Sequence, residues 1–265
     1  MVNETPAEAD SGPLTLTTSP VPGVVVVRIN RPQQRNALNL AVKNEIADII
    51  ERLDEEPEVR VIILTGSVDV FAAGTDVKEM AGLSPTDHVR LRTDRVFTAL
   101  RGCRTVTIAA VEGFALGGGC ELALSCDLVI AAGEACFGQP EICVGVMPGA
   151  GATQRMVRTV GKYRTLRLLL TGDRFSASQA HAMGLVSELA ENGRALDRAL
   201  ELATTVARLP QLAVRAIVDV VEAGADAPLE TALLLERKSF QLMFDTPDQT
   251  EGMRAFIEKR IPQYD

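Results

Sequence analysis

A chain of 265 residues, 46% hydrophobic and 23% charged, can bury a full core as one large domain, or as one domain with an appendage, without disulfide or metal staples. Lys and Arg number 27 against 35 Asp and Glu, a net charge of -8, with an isoelectric point near 5.0 and a mean hydropathy of +0.12. That balance argues against a nucleic-acid partner, and no apolar run is long enough to span a bilayer.

Residues Met1 to Pro13 hold no Lys, no Arg and no apolar stretch, so neither a signal nor a transit peptide is indicated and the expected address is cytoplasmic. The first twelve residues, 1–12, are expected to be flexible. Leu14 to Thr17 and Val24 to Ile29 read as strands around the turn residues Pro20, Pro22 and Gly23. Asn39 can cap a helix whose apolar residues Val42, Ile46, Ile49, Ile50 and Leu53 recur at helical spacing. Arg60 to Thr65 reads as a buried strand ending at Gly66, and Thr107 to Val111 as another leading into Gly113 and a glycine cluster.

The order of strand, loop and helix continues through Asp127 to Ala131, which implies an α/β fold with strands buried between helices. From Arg194 the pattern changes: Arg194 to Arg208, Leu212 to Glu222, Pro228 to Phe244 and Gln249 to Lys259 are successive helical segments with no strand between them. A core over 13–193 and a helical assembly region over 194–265 are therefore expected.

Cys103, Cys120, Cys126, Cys136 and Cys143 form an odd set without C-x-x-C spacing, and read as small buried hydrophobes. With only His88 and His181 beside them, no metal site is expected. His181 lies in a helical context and His88 in a polar loop or helix start, and neither is given a catalytic role.

Gly117-Gly118-Gly119 follows the strand at Thr107 to Val111 and precedes Glu121 and a helix at Leu122 to Ser125. Successive glycines clear side chains from a helix start and leave N–H groups free for an anion or an oxyanion, although a tight packing turn explains them equally well. Gly149-Ala150-Gly151 has Gln154 where a dinucleotide fingerprint needs glycine, and no Gly-Lys-Ser/Thr occurs, so a nucleotide is a poor ligand. A second small-residue loop, Phe71-Ala72-Ala73-Gly74-Thr75-Asp76, would also admit a ligand to the main chain.

Glu121 and Glu141 both stand among apolar neighbours, where a carboxylate must be paired, hydrogen-bonded or protonated. Singly, either could be a structural ion-pair partner. Hydration of an α,β-unsaturated thioester gives both a task, one activating water and one protonating the α-carbon, while free N–H groups hold the thioester oxygen.

Five segments together resemble the enoyl-CoA hydratase/isomerase, or crotonase, superfamily: Arg31-Pro32 with Asn36-Ala37-Leu38, Phe71 to Met80, Gly113 to Leu122, Phe137 to Glu141, and Glu251 to Arg260. The resemblance runs from about Val24 to Tyr264. It implies a crotonase-like spiral of ββα units followed by a C-terminal helical trimerisation subdomain, assembled as a homotrimer or a dimer of trimers. It further implies an acyl-CoA thioester substrate, hydration as the reaction with Glu121 and Glu141 as the catalytic pair, and an oxyanion hole from the N–H groups of Thr75 and Gly118. Ala37, Ala73, Asp76, Val77 and Lys78 would line the coenzyme A site, and Phe256 and Lys259 would reach the coenzyme A of a neighbouring subunit.

No cofactor is implied, since coenzyme A enters with the substrate. Thr75 departs from the family's usual alanine, which would narrow or polarise the acyl pocket and spare the backbone donor. That pocket is expected from a helix at Pro85 to Arg101, from Ile142 to Met147 and from the C-terminal helices. A Δ3,Δ2-enoyl-CoA isomerase and a non-catalytic acyl-CoA-binding protein are the alternatives. The pathway is open between fatty-acid β-oxidation and catabolism of an amino acid or aromatic compound.

Overall fold

The structure is a computed structural model that describes residues 12–264; the start expected to be flexible, 1–12, lies outside the described residues except for Gly12. Its strands, in chain order, are β1 (Thr15–Val21), β2 (Val24–Ile29), β3 (Val61–Thr65), β4 (Val70–Ala72), β5 (Val106–Val111), β6 (Phe114–Leu116), β7 (Leu128–Ala132), β8 (Cys136–Gly138), β9 (Arg174–Ser176) and β10 (Glu188–Ala190). A six-stranded sheet runs β1-β2-β3-β5-β7-β10, and a four-stranded sheet runs β4-β6-β8-β9. Only β1 against β2 and β8 against β9 are antiparallel.

The β1–β2 hairpin turns at Pro22-Gly23, with Gly23 at φ +76. Pro20, expected in the turn, instead lies inside β1 where the pairing register shifts between Thr18 and Val21. An edge strand tolerates a residue without an N–H at such an irregularity.

The central strands are apolar without alternation because both faces of the sheet are covered. Val25, Val27, Ile62, Leu64, Ala109 and Val111 share one core with Val42, Ile46, Ala47, Ile50 and Leu53 of the helix Leu40–Asp54. Val24, Val26, Val61, Ile63, Ile108 and Ala110 share the other with Ala199, Ala203 and Ala207 of the helix Ala195–Ala207. Asn39 caps the first of these helices, its side chain accepting from Val42 N–H.

A long strand, a short strand and a helix recur three times: β3, β4 and Val77–Met80; β5, β6 and Gly118–Ala123; β7, β8 and, after a 3-10 turn at Pro140–Val144, Ala152–Val160. This is the expected spiral of ββα units. Two helix bounds differ from expectation. The segment expected as one helix over Pro85 to Arg101 is two, Pro85–Arg90 and Arg95–Gly102, separated where Arg92 turns to φ +48. The helix expected at Leu122 to Ser125 is Gly118–Ala123, beginning within the glycines.

After β10 come the helices Ala195–Ala207, Gln211–Ala225, Leu229–Met243 and Pro247–Glu258. Among the described residues no helix is long and apolar enough to cross a membrane.

One buried side chain joins the start of the chain to the small sheet. Asn36 is fully buried at φ +53; its Oδ1 accepts from Arg31 N–H at 2.9 Å, and its Nδ2 donates to Val70 O at 2.9 Å and Phe71 O at 3.2 Å. At about 1 kcal/mol net per buried hydrogen bond, Asn36→Ala should lose roughly 3 kcal/mol of unfolding free energy in a urea titration. A loss below about 1 kcal/mol would show that this junction is not held by the amide.

Candidate active site

The small sheet ends where a cleft of about 830 Å³ opens, lined among others by Ala73, Thr75, Val77, Gly117, Gly118, Glu121 and Glu141. Since β4, β6 and β8 are parallel, the segments leaving their C-terminal ends emerge side by side. They carry Thr75, Gly118 and Glu141 respectively.

The glycine triplet is a set of close approaches. Gly117 stands at φ 49 and ψ -125, and a methyl group on it would lie 2.9 Å from Glu141 Oε1. A methyl on Gly118 would lie 2.7 Å from Thr75 Oγ1 and 3.3 Å from Thr75 N, and one on Gly119 would collide with the Ala72 carbonyl. These glycines bring Thr75, Gly118 and Glu141 together, beyond what a packing turn requires.

The N–H groups of Thr75 and Gly118 are unspent among the described residues. Leu38 N–H donates to Gly74 O at 2.7 Å and Asp76 N–H to Leu38 O at 3.1 Å, so the bridge between these segments straddles Thr75. Gly118 is the first residue of its helix, where an N–H has no intrahelical acceptor.

Glu121 is 3% exposed, and its Oε1 accepts from Ala150 N–H at 2.7 Å and Ala152 N–H at 3.1 Å. These donors belong to the start of the helix Ala152–Val160, so the carboxyl sits at a helix N-terminus, where negative charge is favoured. Burial still prevails and raises its pKa, against the hydrogen bonds from Ala152, Ala150 and Gly151 and the charge of Arg155. Gly149-Ala150-Gly151, an incomplete nucleotide motif in the sequence, cradles Glu121 through a contact across 29 residues.

Glu141 opens the 3-10 turn Pro140–Val144. Burial pushes its pKa up to about 7, and the charge of Glu121 adds to the rise against its own main-chain N–H. Fully buried Gln139, with its amide nitrogen toward the carboxyl, donates to both Oε1 and Oε2 at 3.2 Å. Gln139 was not singled out in the sequence.

Of the remaining candidates, Ala73 and Val77 line the cleft, whereas Ala37, Asp76 and Lys78 do not. Asp76 caps the helix Val77–Met80, accepting from Lys78 and Glu79 N–H, and lies 3.6 Å from the Arg31 guanidinium. Lys78 is exposed. Phe256 is 85% exposed and Lys259 ends the helix Pro247–Glu258 at φ 57; neither lines the cleft of its own chain.

The expected acyl walls are present in part. Cys143, Val144, Val146 and Met147 line the cleft, as do His88, Thr93, Asp94 and Phe97 from the divided helical segment. The C-terminal helices contribute no lining residue to the cleft of their own chain. Lys43 and Glu79 line it without having been singled out.

Cys103, Cys120 and Cys126 are buried as expected, but Cys143 is exposed. His88 pairs with Thr93 Oγ1 at 3.0 Å and His181 with Val186 O at 3.0 Å. No cluster of metal-binding side chains occurs among the described residues.

Two unspent amides beside two carboxyls of raised pKa form the kind of site used by acid–base enzymes that act next to a carbonyl group. Comparison with known proteins narrows this class. The family model for enoyl-CoA hydratase/isomerase matches residues 21–265. A probable enoyl-CoA hydratase of Mycobacterium bovis is 46% identical over 241 residues, covering 91% of this chain and 94% of that one. A probable mitochondrial enoyl-CoA hydratase of Dictyostelium discoideum is 41% identical over 250 residues, covering 94% and 90%. A crystal structure of an enoyl-CoA hydratase subunit from Geobacillus kaustophilus superimposes with a TM-score of 0.91 at 41% identity, covering 95% of this chain and 98% of that one. The chain belongs to the enoyl-CoA hydratase/isomerase family.

The raised pKa of Glu141 has a consequence for stability. Between the ordinary carboxylate value of 4.5 and about 7, the folded chain binds the Glu141 proton more tightly than the unfolded chain, so raising the pH through this window weakens the fold. Glutamine does not titrate. The melting temperature of Glu141→Gln relative to the parent should therefore rise from pH 5 to pH 8, and a difference independent of pH would contradict the assigned shift.

Proposed function

We propose that the protein is an enoyl-CoA hydratase, adding water across the α,β double bond of a 2-enoyl-CoA thioester to give a 3-hydroxyacyl-CoA. The observation that carries the reading is the convergence of Thr75 N–H, Gly118 N–H, Glu121 and Glu141 on one cleft. Ionised Glu121 takes a proton from water, whose oxygen forms the bond to the β-carbon. The π electrons move toward the thioester oxygen, where the two amides meet the developing negative charge without reorganising. Protonated Glu141 delivers its proton to the α-carbon as the carbonyl re-forms, and transfer of the proton gained by Glu121 resets the pair.

The division of roles follows from the local supports. Two main-chain donors and a helix N-terminus face Glu121, which favours its anion over that of Glu141, with its pKa near 7. Coenzyme A enters with the substrate, and no further cofactor is needed.

Ala73 and Val77 would meet the coenzyme A from within the cleft, and Ala37, Asp76 and Lys78 from its surroundings. Phe256 and Lys259 would serve a neighbouring subunit in a homotrimer or a dimer of trimers. Exposed Leu212, Ile217, Leu229, Leu234 and Phe240 on the C-terminal helices support such an assembly. A cytoplasmic address is part of this reading.

Loss of the conjugated-enoyl absorbance of crotonyl-CoA tests the activity. Glu121→Gln and Glu141→Gln should each slow turnover by ~10² to 10⁴, the usual worth of a general acid or base. Near-normal turnover in either would sink the two-carboxylate mechanism. A shift of the double bond without hydration would identify an isomerase, and thioester binding without reaction a binding protein.

Thr75→Ala keeps the N–H and removes a hydroxyl and a methyl from the cleft wall. Its kinetics over a range of chain lengths should show an altered length preference and little loss on the shortest substrate. An equal loss at every length would contradict the backbone-donor role.

A further inference from the structure

Lys43 is a cation where the fold has every reason to place a hydrocarbon. It lies on the inward face of the helix Leu40–Asp54 with Val42, Ile46, Ala47 and Ile50, and is 6% exposed. Its ammonium has no hydrogen bond or ion pair among the described residues, where no sealed side-chain polar atom lacks a partner. The small exposed part of the residue therefore includes Nζ, and Lys43 lines the catalytic cleft.

The cleft that it lines is of mixed character, with apolar Leu40, Met80, Leu83 and Phe97 and polar His88, Thr93 and Asp94. The acids whose charge reaches Lys43 are Glu79, Asp94 and Glu121, none within ion-pair distance. Each is engaged elsewhere or wet: Glu79 Oε2 accepts from Leu40 N–H at 2.7 Å, Glu121 Oε1 holds Ala150 and Ala152, and Asp94 is exposed. Burial lowers the pKa of the ammonium against the pull of these three carboxylates.

We propose that Lys43 determines specificity for the acyl group, and that the preferred thioester carries a carboxylate at the end remote from coenzyme A. This rests on the enoyl-thioester reading of the cleft. A hydrocarbon tail filling the cleft would strip water from an ammonium that has no other partner, an uncompensated cost. A terminal carboxylate would supply that partner through a charge-assisted hydrogen bond in a partly desolvated site, where such bonds are strongest. Repulsion from Asp94 is weakened by solvent, and the charge of Glu79 is partly met by the helix N-terminus it caps.

The test compares two 2-enoyl-CoA thioesters of equal chain length, one ending in methyl and one in carboxylate, with the parent, Lys43→Met and Lys43→Arg. The readout is the ratio of kcat/KM for the two substrates within each variant, in which any general loss of activity cancels. The parent should favour the carboxylate, Lys43→Met should lower the ratio by about 10- to 100-fold, the span of one charge-assisted hydrogen bond, and Lys43→Arg should retain a preference. A ratio unchanged in Lys43→Met, or a parent that favours the methyl end, would overturn the proposal.

The ratio of dissociation constants, measured by calorimetry for the corresponding pair of saturated acyl-CoA thioesters, separates the two readings. A Lys43-dependent preference in binding without hydration would keep this proposal and defeat the hydratase. Hydration without a Lys43-dependent preference would do the reverse.

Discussion

The parallel pairing of three short strands is the constraint on which the site depends. Because β4, β6 and β8 run side by side in one direction, the chain leaves all three at the same edge, and Thr75, Gly118 and Glu141 arrive as neighbours from three successive units of the spiral. Where they converge, a β-carbon would meet the Glu141 carboxyl at Gly117, the Thr75 hydroxyl at Gly118 and the Ala72 carbonyl at Gly119. The ββα repeat thus supplies the glycines' structural reason and the site's geometry at once. Asn36 reinforces it by fixing the chain before the helix Leu40–Asp54 to the carbonyls of β4.

Legibility of the fold followed the length of each element. β2, β3, β5 and β7 are continuous apolar runs long enough to stand out, and Asn39 is a capping residue in front of a helical stripe. β4, β6, β8 and β9 each span three residues, less than two periods of a strand pattern, so their identity lies in their partners and not in their composition. The break at Arg92 was equally hidden, since neither Gly nor Pro marks it. Pro20 misled in the opposite direction, because a turn residue can also occupy an irregular edge strand.

In the site, chemistry flagged the carboxylates and the resemblance supplied their setting. What escaped were their supports. Ala150, Ala152 and Gln139 act through main-chain or amide donors brought near by tertiary structure, and nothing in an alanine's identity announces that its N–H will hold a carboxyl. Lys43 escaped for another reason: the apolar stripe that revealed the helix made its lysine look like an ordinary solvated side chain, although positions 43, 46, 47 and 50 share the buried face. Asp76 shows the converse, a matching motif residue whose side chain is occupied with capping and an ion pair.

One physical effect connects these parts. Burial raises the pKa of Glu121 and Glu141 and lowers that of Lys43, and it also strengthens each dipole aimed into the same cleft. On the proposed reading the amides of Thr75 and Gly118 gain as well, because a partly desolvated cleft strengthens their hold on a negative oxygen. The same desolvation makes ionisation costly for a carboxyl, and Glu121, with two main-chain donors and a helix terminus, is better compensated than Glu141. In the proposed mechanism, what surrounds the two glutamates divides an otherwise symmetric pair into an anion and an acid. That proposed asymmetry belongs to the segment from residues 139 to 152 as much as to the two side chains it supports.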